Sequence, residues 1–148
     1  MARILSDLLT GKKPGPQPFD GSVLLLPVTV VMPAALAQND LIELVDLPPF
    51  VDLLDYTIIA PQLDSGGSPA LAVSIGAENA GFTDLSVAYE TGLTPGRTAN
   101  GNVVRCGTAL ASQASNADSR RIALKVTADA ATYAGAGKTL NVILHLRG

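Results

Sequence analysis

Two alternating stretches in the last third of the chain decide the fold, RIALKVT at residues 121–127 and LNVILHLR at residues 140–147. In the first, Ile122, Leu124 and Val126 alternate with smaller or polar residues, and the second repeats the pattern at Leu140 and Val142. Side chains two residues apart share one face of a β-sheet. The spacing therefore predicts two antiparallel strands, each with one buried face and one wetter face.

The chain before these stretches, from residue 22 onward, has the same character. Its pattern predicts eight strands in all, near residues 22–32, 40–47, 52–60, 69–75, 84–90, 102–106, 121–128 and 139–147. Turn residues rich in Gly and Pro separate them. Strands of this number without crossover helices indicate an all-β fold, an antiparallel β-sandwich or jelly roll. The Gly-, Ala- and Ser-rich region 91–119 is predicted to be a functional loop or one that a partner orders.

The first twenty residues have a different composition, so we divide the chain into an amino-terminal arm at 1–20 and a sandwich domain at 21–148. Ile4, Leu5, Leu8 and Leu9 would form one stripe of a short helix that ends near Gly11. The three alternating prolines between residues 14 and 18 favour an extended tether. Two placements stay open: the arm reaches toward another molecule, or it folds back over its own sheet.

Composition limits the partners. The 148 residues suit one domain, and a net charge of −3 leaves no broad basic surface for nucleic acid or anionic lipid. Apolar residues make up 47% of the chain and charged residues only 16%, against about a quarter in an average soluble domain. We therefore expect other polypeptides to cover some apolar surface.

The apolar run at residues 23–32, followed by Ala35-Leu36-Ala37, superficially resembles a signal peptide with its cleavage site. Pro27 lies inside the run, however, and ten apolar residues are too few to span a bilayer. We interpret the run as a strand and expect no cleaved signal peptide and no membrane partner. Cys106 is the single cysteine, so no internal disulfide forms.

Groups that perform chemistry are scarce. His145 is the only histidine, which argues against a catalytic triad and against a zinc site. The carboxylates between residues 40 and 55 lack the spacing of a calcium loop, and Asp64 is predicted to cap its Gly-rich turn. The stretch GAGKT at residues 135–139 precedes a strand, so a loop explains it better than a phosphate site. We expect no enzymatic activity, no metal and no cofactor.

Three short stretches in order carry a resemblance: DLIELVDLP at residues 40–48, APQLDSG at residues 60–66 and LAVSIG at residues 71–76. Together with the irregular region and the two closing strands, the stretch 38–147 resembles small head decoration, or cement, proteins of tailed bacteriophages. The resemblance implies a jelly roll that binds the outer surface of the capsid in the virion and clamps neighbouring subunits of the major capsid protein. The resemblance does not include the amino-terminal arm.

Under this interpretation the partners are the major capsid protein and the chain itself, with a homodimer favoured over a trimer. The protein would be made in the host cytoplasm. An alternative is a sandwich module that binds a glycan or a host receptor on a virion. The predicted contact residues are the apolar anchor Ile4, Leu5, Leu8 and Leu9, with Arg97, Arg105, Arg120 and Arg121 as polar contacts.

Overall fold

A computed structural model describes residues 1–12, 14, 23–108 and 117–148. Over these residues the chain is all-β and contains no helix. The nine strands are β1 (Arg3–Leu5), β2 (Val23–Val31), β3 (Leu41–Leu47), β4 (Asp52–Ala60), β5 (Ala72–Glu78), β6 (Leu85–Leu93), β7 (Asn102–Arg105), β8 (Arg120–Ala128) and β9 (Thr139–Arg147).

The strands form two sheets that pack as a β-sandwich of the jelly-roll kind. The five-stranded sheet has the order β1-β3-β8-β5-β6, and the four-stranded sheet has the order β2-β9-β4-β7. All pairings are antiparallel except that of β1 with β3. Only β5 and β6 are consecutive neighbours in one sheet, so every other connection crosses between the sheets. This crossing wraps the chain around a single core.

The core lies between the two sheets, where the alternating residues of each strand meet. From the four-stranded sheet it receives Val28, Val30, Ile58, Val142 and Leu144, and from the five-stranded sheet Leu47, Val73, Ile75, Ile122, Leu124 and Val126. Tyr56 is the largest side chain that is fully buried. The alternation that predicts the strands is thus the alternation that fills the core.

All eight predicted strands are present. The two that differ most in extent are β5 and β6, each of which ends three residues beyond the predicted position. Their pairing contains three irregularities of register, and β6 passes close over Gly76, where an added Cβ would lie 2.0 Å from the Val87 carbonyl oxygen. Bulges of this kind shift residues relative to the period of two, so the simple pattern does not locate the strand ends.

The predicted helix over residues 1–10 is wrong. Arg3–Leu5 form a strand that pairs in parallel with β3, and residues 7–11 form turns. A helix of ten residues gains little on its own, whereas pairing with β3 satisfies backbone groups within the sheet. Residues 13 and 15–20 of the predicted arm, and 109–116 of the predicted long loop, lie outside the described residues.

Candidate functional site

The outer face of the four-stranded sheet is unusually apolar. We define the apolar face by the outward residues Val23, Leu25, Pro27 and Val31 of β2, Ile143 of β9, Ile59 of β4 and Val103 of β7. Its side chains remain open to solvent: Leu25 is 56% exposed, Ile59 40% and Val103 52%. Exposed apolar side chains gathered on one sheet face are a feature of interaction sites, and here polar residues of the same face, such as Thr29 and Asn141, lie among them.

Polar groups lie within the apolar face and at one end of it. Thr29 Oγ1 donates to Asn141 Oδ1 at 3.0 Å in the row that also contains Ile59 and Val103, and Arg147 Nη2 lies 3.1 Å from Asp52 Oδ2 at the far end of the strands. His145 lies between Leu25 and Asp55 in the register. Protein interfaces commonly combine apolar side chains with hydrogen-bonding groups of this kind.

The free edge of β2 is partly covered by the turn that follows β1. The Asp7 N–H donates to the Thr29 carbonyl oxygen at 2.9 Å, and Asp7 Oδ1 accepts from the Thr29 N–H at 3.0 Å. Pro27, two residues earlier on the same edge, has no N–H to offer. Both features protect an edge strand from unspecific pairing.

The four residues of the predicted apolar anchor separate in the structure. Leu8 is buried in the chain's own core, and Ile4 packs against that core. Leu9 is half-buried, and Leu5 is 42% exposed. The amino terminus therefore folds onto its own sheet through Ile4 and Leu8, and Leu5 is the member that offers most surface to another molecule.

The four predicted arginine contacts also have different surroundings. Arg97 donates to the carbonyl oxygens of Leu71 at 2.8 Å and Ala70 at 3.2 Å, and Arg120 donates to that of Val51 at 2.7 Å. Arg121 is engaged by carboxylates. Arg105 is exposed on the edge strand β7, where it pairs with Thr57 on the apolar face. Of the four, Arg105 is the one that extends this face.

The outer face of the five-stranded sheet carries a charged ladder of Arg3, Glu43, Arg121 and Glu78, from strands β1, β3, β8 and β5 in that spatial order. Glu43 Oε1 accepts from Arg3 Nη2 at 2.8 Å and from Arg121 Nη1 at 3.4 Å. Arg121 Nε and Nη2 bind the two oxygens of Asp46 at 2.7 and 2.9 Å. In the sequence, Glu43 and Asp46 belong to the carboxylates that lack the spacing of a calcium loop, and no local pattern there predicts this ladder.

Phe82 covers the ladder from the loop between β5 and β6. The guanidinium carbons of Arg3 and Arg121 lie 5.1 and 4.5 Å from its ring centroid, within the range of cation–π attraction. Its backbone has a φ of 53°, a left-handed conformation that is uncommon for an aromatic residue.

A cleft of about 480 Å³ lies beside Phe82 on this face of the sheet. It is lined by Asp46, Glu78, Asn79, Ala80, Phe82, Ser119, Arg120 and Arg121.

Glu78 is the perturbed acid of this ladder. Its carboxyl is buried, and burial raises its pKa to about 7, with the negative charge of Glu43 acting in the same direction. Arg121 and Arg3 oppose the change. A perturbed acid in a cleft often marks a functional site, although ion-pair networks perturb acids too.

A second cluster joins the two sheets at their β6 and β7 edges. The Tyr56 hydroxyl donates to Glu90 Oε1, and the Gly107 N–H donates to both Glu90 oxygens at 3.1 Å. Burial raises the pKa of the Tyr56 phenol, and Glu90 raises it further. Glu90 on β6 thus holds the segment that follows β7 against β4 and β6, so we assign it a role in stability.

Within the described ranges, no three His, Cys, Asp or Glu side chains come together in a way suited to a metal ion. The same ranges contain no helix with the length and apolar character needed to cross a membrane.

Comparison with known proteins places this geometry among phage capsids. A chain titled "Capsid of Ralstonia phage GP4" superposes with a TM-score of 0.82 and 28% sequence identity, covering 99% of this chain and 97% of that chain. A chain titled "Cyanophage Pam1 capsid asymmetric unit" has a TM-score of 0.60 and 20% identity, covering 91% of this chain and 90% of that chain, and it supports the fold alone. No family model matches, and no curated protein matches significantly in sequence.

Both neighbours come from phage capsids. The likeness to the Ralstonia phage GP4 chain supports a structural protein related to phage capsids and a location in the virion. The predicted all-β sandwich is confirmed.

Proposed function

We propose that this chain is a decoration protein that binds the outer surface of a phage head and cements neighbouring subunits of the major capsid protein. The apolar face of the four-stranded sheet carries the proposal, because several large apolar side chains are exposed on it, among them Leu25, Ile59 and Val103, and a protein partner would cover them. The likeness to the Ralstonia phage GP4 capsid chain over 99% of this chain supports the capsid as that partner.

Cementing by many copies needs only modest affinity at each contact. A copy that contacts two neighbouring subunits binds the second at a high effective concentration, so two weak contacts together resist separation of the subunits. Burying apolar side chains contributes about 25 cal/mol per Å², which suits a contact of this kind. A surface without catalytic groups is sufficient for this task.

The proposed contacts follow from exposure. Arg105 extends the apolar face, and Leu5 offers surface from β1, whereas Ile4, Leu8, Arg97 and Arg121 already have internal partners. We further propose that the protein acts as a homodimer at a symmetry axis, which sedimentation of the purified chain at micromolar concentration would test. If the chain is purely monomeric at that concentration, the proposed dimer is wrong. The cementing role is tested separately, by binding to undecorated heads.

Two matched variants test the role of the apolar face. Val103→Asp places a charge on this face from the edge strand β7, and Val87→Asp places the same charge on the other sheet from the edge strand β6. The two valines are similarly exposed, at 52% and 46%. Purified variants are mixed with undecorated heads, and occupancy is measured by microscopy. We expect Val103→Asp to weaken binding at least tenfold, since an interfacial charge without a partner costs more than 1.4 kcal/mol.

Val87→Asp should leave occupancy unchanged. Equal binding by both variants would refute the apolar face as the contact surface. If the wild type leaves heads undecorated but binds in the micromolar range to a glycan or receptor array, the cementing role itself would be wrong.

A further inference from the structure

The hydrogen bonds of the charged ladder leave three carboxylate oxygens without a donor. Glu43 Oε2 and both oxygens of Glu78 are buried and have no hydrogen-bond partner among the described residues. Leaving buried carboxylate oxygens unpaired is costly, particularly when two such groups are neighbours. The donors of Arg3 and Arg121 are already committed elsewhere, whereas Nε and Nη1 of Arg120, which lines the same cleft, also have no partner among the described residues.

Arg121 illustrates this commitment. Its Nε donates to Asp46 at 2.7 Å, and the distance from this nitrogen to Glu78 Oε2 is 4.0 Å, too long for a hydrogen bond. Its Nη1 turns to Glu43 Oε1, which also accepts from Arg3 Nε at 3.0 Å. Two arginines thus balance the two carboxylates of Glu43 and Asp46, and Glu78 is left without a cation of its own.

We propose that Glu43 and Glu78 hold one proton between them, and that this proton makes the attachment of the amino-terminal strand to the sandwich dependent on pH. A protonated Glu78 donates to Glu43 Oε2, which satisfies both groups with one bond. The proton resides on Glu78 because Glu43 is held as an anion by Arg3 and Arg121. The raised pKa of Glu78 agrees with this assignment.

The charged groups around the pair are few. Arg3 faces it from β1, Asp46 from β3, and Arg120 and Arg121 from β8. The loop between β5 and β6 contributes Asp84, which is bound to Lys125 at 2.6 Å and so is already neutralised. Glu90 on β6 is committed to Tyr56 and Gly107. Among the described residues, Arg120 is the cation of this set whose buried Nε and Nη1 lack a partner, and its Nη2 is held by the Val51 carbonyl oxygen at 2.7 Å. It replaces the proton only if its side chain turns away from Val51.

Loss of the proton places a second negative charge beside Glu43, and Arg3 and Arg121 already balance the charges of Glu43 and Asp46. Glu78 can relieve the repulsion by turning into the cleft, which disturbs the loop that carries Phe82. Phe82 stacks on Arg3, and Arg3 binds Glu43, so the contacts that hold the three-residue strand β1 weaken together. The turn after β1, which covers the edge of β2 at Thr29, then opens more often.

Backbone hydrogen exchange of the purified protein tests the coupling. The Ser6 N–H donates to the Glu43 carbonyl oxygen at 3.0 Å and the Asp7 N–H to that of Thr29, so these two amides report the attachment of the amino terminus. After correction for the intrinsic pH effect, we expect their protection factors to fall about tenfold between about pH 6 and pH 8, as one pKa unit implies. Carbon-13 spectra of the carboxyl groups should show Glu78 titrating near pH 7.

Glu78→Gln supplies a permanent donor to Glu43 and should remove the pH dependence. Asp84→Asn, in the same loop but outside the pair, should keep it. If Glu78 titrates at the ordinary value of a glutamate, or if protection of Ser6 and Asp7 is equal at both pH values, the proposal is overturned. The wild-type titration decides the matter even if a variant does not fold, and none of these results depends on binding to heads.

Discussion

At the scale of single residues, Asp64 shows how one carboxylate organises a loop-rich end of the sandwich. Its two oxygens accept from five backbone N–H groups, those of Gly66, Ala70, Leu71, Ala131 and Thr132, at 2.8 to 3.1 Å. The sequence predicted a turn cap, and this is confirmed at Gly66. The donors from residues 131 and 132 could not be predicted, because only the fold brings them near.

We expect Asp64→Asn to lower the free energy of unfolding by about 2–3 kcal/mol, since the amide keeps one acceptor but loses the charge that strengthens all five bonds. Urea unfolding at neutral pH measures the loss. Asp84→Asn is the control, because its exposed bond to Lys125 contributes about 1 kcal/mol or less. Equal losses in both variants would mean that Asp64 does not have this role.

The same carboxylate predicts an acid-sensitive stability. Burial disfavours the charged form of Asp64, but the backbone donors outweigh burial and hold its pKa well below the ordinary value. A depressed pKa stabilises the fold fully above the unfolded value, about 3.9, and the gain is lost as pH falls through the folded value. Wild-type stability should therefore fall below about pH 4, with a shallower fall in Asp64→Asn.

At the scale of elements, the apolar pattern predicted strands β2 to β9, with a clear period of two in β9, although β3 and β5 are buried on both faces. It failed at the amino terminus, where Ile4, Leu5, Leu8 and Leu9 fit a helical stripe equally well. Long-range partners decided the outcome: β3 pairs with Arg3–Leu5, and Leu8 enters the core beside β2. Three residues are too few to show the period of two that identifies a strand, so β1 could not be predicted from the sequence.

The burial difference between Leu8 and Leu5 gives a direct test of this placement. Leu8 is 8% exposed, so Leu8→Ala should cost about 2–3 kcal/mol through lost burial and the cavity it leaves. Leu5→Ala, at the last residue of β1, should cost under about 1 kcal/mol because Leu5 is 42% exposed and leaves no cavity in the core. Thermal unfolding of the two variants measures both. A larger loss for Leu5 would contradict the placement.

At the scale of the whole molecule, the two outer faces of the sandwich differ in character. One exposes several large apolar side chains, and the other has a charged ladder in which Arg3 and Arg121 are paired with Glu43 and Asp46. The high apolar content of the sequence predicted that other chains cover some apolar surface, but it did not locate the exposed apolar residues. The sheet order locates them, since β2, β9, β4 and β7 are far apart in sequence and adjacent in space.

This asymmetry predicts how binding to heads responds to salt. If the apolar face forms the contact, burial of apolar surface provides most of the affinity, and added salt does not screen it. Raising NaCl from about 0.1 to about 0.5 M should then change the dissociation constant by less than about threefold, since Debye screening acts only on the charged rim. A contact through the charged ladder would instead lose affinity steeply over this range. Occupancy of undecorated heads, measured by quantitative microscopy across the salt series, separates the two surfaces without any mutation.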